Sequence, residues 1–193
     1  MFWDKEKIIS VFEKPEAVEG DPYIRKPIKA DKAKETIRPD RETGKMITLW
    51  EEKMRYPYKT KVASELHVRT NKGEYIFTLK LEENEDGEKS FFWNGQNIPK
   101  ILWSTLGISK DSPVGLQASK WHDSLLCYKE HYINELTKQG ASMKADKYRR
   151  LTTLIYRQLL KNNGVGTIKA NIMAGAVGAW QFVSPQWWGI ADI

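Results

Sequence analysis

One cysteine, Cys127, stands in a chain of 193 residues, so neither an internal disulfide nor a cysteine-based zinc site can form. A stapled secreted scaffold is excluded, and a reducing compartment is the expected home. No apolar run approaches the ~20 residues that a membrane span requires. The N-terminus Met1-Phe2-Trp3-Asp4-Lys5-Glu6 alternates charge and apolarity where a signal peptide would be uniformly hydrophobic. A soluble, unprocessed protein is expected. Also missing are a glycine-rich phosphate loop with its lysine, a G-x-G-x-x-G fingerprint and a G-x-S-x-G elbow. Histidine is scarce: of His67, His122 and His131, too few fall in helical stretches to hold the metal of a phosphohydrolase built on a His-Asp doublet.

What is present is globular. With 40% hydrophobic and 29% charged residues, a folded core would bury roughly 70% of the surface that the unfolded chain exposes. The length suits one domain with an appendage. The formal net charge is +6, yet it is unevenly placed: residues 1–45 carry 11 basic and 10 acidic side chains, 46–116 carry 10 of each, 117–161 carry 9 against 4, and 162–193 carry one of each. The surplus belongs to one stretch. Its Lys120, Lys129, Lys138, Lys144, Lys147, Arg149, Arg150, Arg157 and Lys161 would form a face that attracts phosphates or an acidic protein. No aromatic-and-arginine repeat or reading motif accompanies it, so a solvated helix face is the expected role and nucleic acid is not the expected partner.

Four of the eight prolines, Pro15, Pro22, Pro27 and Pro39, fall within residues 1–45 amid dense mixed charge, which predicts an extended arm. Only its beginning, Phe2, Trp3, Ile8, Ile9, Val11 and Phe12, carries enough apolar surface to dock, as a short helix against the body or a neighbouring subunit. Burial at ~1.5–3 kcal/mol per side chain would hold a segment whose ordering entropy nothing else offsets. From Met46 to Trp93 the pattern has period two. Ile47 and Leu49 flank Thr48, Leu66 and Val68 flank His67, and Tyr75, Phe77, Leu79 and Leu81 alternate with Ile76, Thr78 and Lys80. Asn71-Lys72-Gly73 and Asn84-Glu85-Asp86-Gly87 supply turns. An antiparallel sheet of three to four strands follows, closed by Phe91-Phe92-Trp93.

After Pro99 the period becomes helical. A short segment from Lys100 to Leu106 ends at Gly107, and Asp111-Ser112-Pro113 caps the next helix. Val114, Ala118, Trp121, Leu125, Tyr128 and Tyr132 define one buried stripe running to Leu136. A second helix opens at Ser142 and stops at Asn162-Asn163-Gly164. A third starts after Thr167; its Ala170, Ala174, Gly175, Ala176, Gly178 and Ala179 are small enough to let another backbone approach, which predicts the central packed helix. The tail Ser184-Pro185-Gln186-Trp187-Trp188-Gly189-Ile190 is apolar enough to require a docking surface.

Among candidates for chemistry, His122 stands in Trp121-His122-Asp123 inside an amphipathic helix. Adjacent helical residues point about 100° apart, so Asp123 is not expected to orient the ring directly. Asp146, at the start of the next helix, is the carboxylate expected to fix its second nitrogen. The bland alternatives are a hydrogen-bonded structural histidine and an aspartate favoured by a helix N-terminus. Cys127 reads as a small buried thiol.

Several of these residues also resemble a family signature. Gly95-Gln96-Asn97-Ile98-Pro99-Lys100-Ile101-Leu102-Trp103, then Ala118-Ser119-Lys120-Trp121-His122-Asp123, then Lys144-Ala145-Asp146-Lys147, and later Ile172-Met173 with Val177-Gly178, resemble a phage and prophage family, domain of unknown function thirteen fifty-three. Its pattern runs Asp-Phe-Ala-Ser-Ile-Pro-Arg, Ala-x-x-His-Asp-x-Leu-Tyr, then Ala-Asp before an apolar helix. The match spans roughly residues 75–180 in the same order. The pattern's first Asp falls at Asn94 and its Tyr after His-Asp falls at Leu126, so a carboxylate and a phenol are lost. His122, Asp123 and Asp146 also look like the arrangement of phospholipase A2, in which a helical His-Asp pair supports water activation and calcium binding while a facing Asp orients the His. The calcium loop and disulfides of that enzyme class have no counterpart here, and calcium takes six to eight oxygen ligands.

The expected fold is α+β: an extended arm over 1–45, a domain over 46–183 with a small antiparallel sheet at 46–93 and a three-helix part at 100–183, and an apolar tail over 184–193. The resemblance implies a structural or assembly protein of a tailed-phage virion, made in the host cytoplasm. Phe2, Trp3, Ile8, Ile9 and Phe12 at one end and Trp187, Trp188 and Ile190 at the other would dock onto other virion proteins or copies of itself, with no cofactor and no resident metal. The alternative is a hydrolase with His122 as general base, Asp146 as its orienter and Asp123 as ligand to water or a divalent cation. A nucleic-acid-binding module is the weaker third reading.

Overall fold

The computed structural model describes residues 7–15, 24–25, 37–39, 45–48, 58–83, 87–93, 113–141 and 143–183. Among these, nine strands precede four helices: β1 Ile8–Pro15, β2 Ile24–Arg25, β3 Ile37–Pro39, β4 Met46–Thr48, β5 Tyr58–Thr60, β6 Ser64–Thr70, β7 Gly73–Thr78, β8 Glu82–Glu83, β9 Lys89–Trp93, α1 Pro113–Cys127, α2 Lys129–Lys138, α3 Ala145–Asn162 and α4 Thr167–Val183. All strand pairing is antiparallel. The class is α+β, with strands sorted into three sheets, β1-β6-β7, β2-β5-β9-β8 and β3-β4, rather than the single sheet that the period-two stretch suggests.

The alternation that predicts β6 and β7 is the alternation observed. Ser64, Leu66, Val68 and Thr70 on β6 and Tyr75 and Phe77 on β7 point into the core. The turn between them is tied by the Thr70 hydroxyl, which accepts from Lys72 N–H and donates to the Gly73 carbonyl. The core continues into Phe91 and Trp93 of β9, whose rings stack 6.1 Å apart.

The beginning of the expected arm is not a helix. Residues 8–15 form β1, paired along its length with β6, Val11 opposite Val68 and Glu13 opposite Leu66. Val11 is buried in the chain's own core. The helical reading fails because a β-bulge between Ile8 and Ser10 breaks the alternation that marks a strand. Strand pairing crosses residue 45, with β3 paired to β4 and β2 to β5.

The helix expected to run to Leu136 is divided at Tyr128, where φ is −114° and ψ 38°. The bend brings the Ser124 and Tyr132 hydroxyls to 2.8 Å. In a straight helix eight residues rise about 12 Å, farther than a serine and a tyrosine together can bridge. Both α2 and α3 end in a Schellman motif. Gly140 and Gly164 adopt φ of 82° and 87°, the left-handed conformation that glycine adopts without strain. Ala141 N–H returns to the Leu136 carbonyl and Val165 N–H to that of Leu160.

These two helix ends also close the sheet β1-β6-β7. The Gln139 side chain accepts from Ile76 N–H at 2.9 Å and donates to its carbonyl at 2.8 Å on the edge strand β7. At the opposite edge Asn162 donates to the Val11 carbonyl. Amide side chains thus occupy backbone groups that an open edge would offer to another strand.

The central helix is α1, not α4. Residues 118–125 of α1 are buried without interruption. On α4, by contrast, Ala170, Met173, Ala174 and Val177 are buried while Ile168, Ile172, Gly175 and Ala179 are exposed. A methyl group added at Gly178 would meet Thr153 Cγ2 at an ordinary 3.5 Å, and one at Gly175 would meet nothing within 4 Å. Neither glycine is required for a close backbone approach, so the small residues of α4 do not mark a crowded interior.

Candidate functional site

A helix buried on all sides is normally apolar, but α1 buries Ser119, Lys120, His122, Asp123 and Ser124 within eight residues. Each buried polar group must find a partner or cost free energy. Ser119 donates to the Leu116 carbonyl, and Ser124 meets Tyr132. The Tyr132 hydroxyl also accepts from Lys80 N–H. Burial pushes the Tyr132 phenol up to about 12 even though the hydrogen bonds from Ser124 and Lys80 oppose it.

Lys120 is paired with Glu13 of β1, both side chains at most 5% exposed. Gln117 donates to the other Glu13 oxygen at 2.7 Å, and Asn163 donates to Gln117 Oε1 at 2.9 Å. Burial raises the Glu13 carboxyl, but the Lys120 charge and hydrogen bonds from Lys120, Ser64 and Gln117 outweigh it and hold the group below its ordinary range. Burial pulls the Lys120 ammonium down, with Glu13 opposing. Lys120 is therefore an interior cation and does not belong to the basic face expected of residues 117–161, on which Lys138, Lys144, Lys147 and Arg150 are exposed.

His122 and Asp123 are 3% and 2% exposed. Contrary to expectation they meet directly, Nδ1 to Oδ1 at 3.4 Å, a long contact compared with the usual 2.7–3.2 Å. The His122 ring lies 5.3 Å from that of Tyr156. Burial, then the Asp123 charge, raises the Tyr156 phenol, whose hydroxyl makes no hydrogen bond among the described residues. Asp146 is not the orienter of His122. It is exposed in the first turn of α3, ten residues and so about 15 Å along the helix from Tyr156, which is the α3 residue that His122 faces. The helix N-terminus accounts for Asp146.

The other expected site residues separate into two groups. Ile9 is 60% exposed and Phe12 51% exposed, while Ile8 packs against the core. Phe12 stacks on His67 at 4.7 Å. Phe2, Trp3, Trp187, Trp188 and Ile190, the segment Lys100 to Leu106 and the cap Asp111-Ser112 lie outside the described residues. Cys127 is half-buried. Among the described residues, no three His, Cys, Asp or Glu side chains gather as a metal site, and no helix is long and apolar enough to cross a membrane.

Sequence reasoning missed Glu13, Gln117 and Tyr156. A signal for the first existed: Glu13 and Val11 share one face of a strand, and a carboxylate on an inward face demands a buried cation. For Tyr156 there was none, because a tyrosine in a helical apolar stripe reads as core. No family model, curated protein or solved structure matches the chain.

Proposed function

We propose that this chain is a structural or assembly protein of a tailed-phage virion that docks to its neighbours through apolar side chains left outside its core. The phage setting comes from the Ile98-Pro99, His122-Asp123 and Ala145-Asp146 signature. One observation carries the docking role: on β1, Val11 and Glu13 hold the chain's own core while Phe12 and Ile9 remain exposed. Edge strands usually carry charge or proline at such positions, and large exposed apolar side chains mark contact surfaces.

Residues 8–15 belong to the fold, so a point substitution tests the reading better than removal of residues 1–45. Phe12→Asp should keep the melting temperature and yet fail to enter particles, as should a chain lacking residues 184–193. Normal incorporation of both variants defeats the proposal.

The hydrolase reading has one supporting observation, the cluster of His122, Asp123 and the Tyr156 hydroxyl, which has no hydrogen bond among the described residues. It lacks Asp146, and its histidine is 3% exposed. Loss of a hydrolytic activity on His122→Ala with little change in melting temperature would favour it.

A further inference from the structure

The outer face of the sheet β1-β6-β7 is a grid of three rows fixed by strand register. One row is Ser10, Arg69, Glu74; the middle row is Phe12, His67, Ile76; the third is Lys14, Glu65, Thr78. The middle row is the apolar one. Phe12 is 51% and Ile76 39% exposed, and His67 lies between them under the Phe12 ring. Each flanking row holds one cation and one anion, placed so that their signs are reversed along the central strand, Arg69 above and Glu65 below.

We infer that this face pairs with the same face of a second copy, about a two-fold axis lying along the row Phe12, His67, Ile76. That axis sets each middle-row residue against its own counterpart. It also sets Arg69 over Glu65 of the second copy, and Glu65 over the second Arg69. Lys14 meets Ser10, and Glu74 meets Thr78, so no like charges face each other. A two-fold axis along the strands would instead oppose Arg69 to Arg69 and Glu65 to Glu65. The charge pattern thus selects one isologous arrangement and argues for a copy of this chain rather than an unrelated partner.

Three strands of eight, seven and six residues present roughly 300 Å² of sheet, well under the ~800 Å² per partner of a stable complex. The pairing is therefore weak between free chains and gains strength where many copies are held together. This inference rests on the assembly reading and names the partner of that surface.

The test is sedimentation equilibrium on the full chain, with Arg69→Glu, Glu65→Arg, and an equimolar mixture of the two. Wild type should dimerise with a dissociation constant in the micromolar to millimolar range. Each variant alone, with two repulsive pairs in place of two attractive ones, should dissociate about tenfold more readily. The mixture should recover wild-type association, because the heterodimer restores two attractive pairs, one with its signs exchanged and one as in wild type. Both positions are on the outer face, and circular dichroism of each variant checks that it is folded. Three results overturn the inference: wild type monomeric up to about 1 mM, single variants that associate like wild type, or a mixture that stays monomeric. Particle incorporation of the same proteins is scored separately. A monomeric chain that still enters particles refutes the self-pairing and leaves the virion reading standing.

Discussion

Glu13 on the first strand and Lys120 in the middle of α1 form a buried ion pair across 107 residues of sequence. It ties the N-terminal segment to the helix that carries His122 and Asp123. An arm that left the body would take the Glu13 carboxylate into water and strand the buried Lys120 ammonium without its counter-charge, so this pair holds β1 in the domain.

Removing one partner should cost far more than removing both. Lys120→Met or Glu13→Leu leaves an uncompensated buried charge and should lose about 3–5 kcal/mol by urea unfolding, whereas the double variant should recover most of that loss. Acid provides a second check. The folded-state value of Glu13 lies below its unfolded one, so its stabilisation is complete above about 4.5 and is lost as pH falls through the folded-state value. The stability difference between wild type and Glu13→Gln should therefore shrink below pH ~4.5. A difference that stays constant into strong acid contradicts the pairing.

Gln139 meets the two backbone groups of Ile76 with one donor and one acceptor, a match that glutamate cannot supply. Gln139→Ala should cost about 1–2 kcal/mol for two hydrogen bonds. Gln139→Glu should cost at least as much, since a carboxylate faces the Ile76 carbonyl. Both variants free the β7 edge, so light scattering at high concentration should rise relative to wild type. Unchanged midpoint and scattering would show that the amide does not guard the edge.

The Tyr156 hydroxyl is buried without a hydrogen bond among the described residues. Tyr156→Phe removes an unsatisfied polar atom while keeping the ring beside His122, and should raise stability by about 1 kcal/mol. A drop of that size instead would reveal a partner for the phenol and move the His122 cluster closer to chemistry.

Local patterns were legible wherever burial is one-sided. The alternation at Leu66 and Val68, the turn at Asn71-Lys72-Gly73, the proline that opens α1 and the Asn162-Asn163-Gly164 stop are all set by neighbours in sequence. Two elements were misread because their burial departs from that rule: β1 has its alternation shifted by a bulge, and α1 is enclosed on every side, so that Ser119, Lys120, His122, Asp123 and Ser124 are buried although they lie off its apolar stripe. The site shows the same limit. His122 and Asp123 stand out in sequence, but Asp146 was chosen for its place at the start of the next helix, and which residues of two helices meet is set by how the helices pack.

Sequence alone determined the α+β class, the strands around Leu66 and Val68, Tyr75 and Phe77, and Phe91 to Trp93, the opening of α1 at Pro113 and the stop of α3 at Asn162-Asn163-Gly164. These follow from side-chain period and backbone preference, which act over a few residues. Only the tertiary structure decided that Glu13 answers Lys120, that Gln139 and Asn162 close opposite edges of one sheet, and that Tyr156 rather than Asp146 faces His122. Such pairings are set by how elements distant in sequence stack and which way each is turned, and a one-residue shift in a strand reverses the face that every side chain presents.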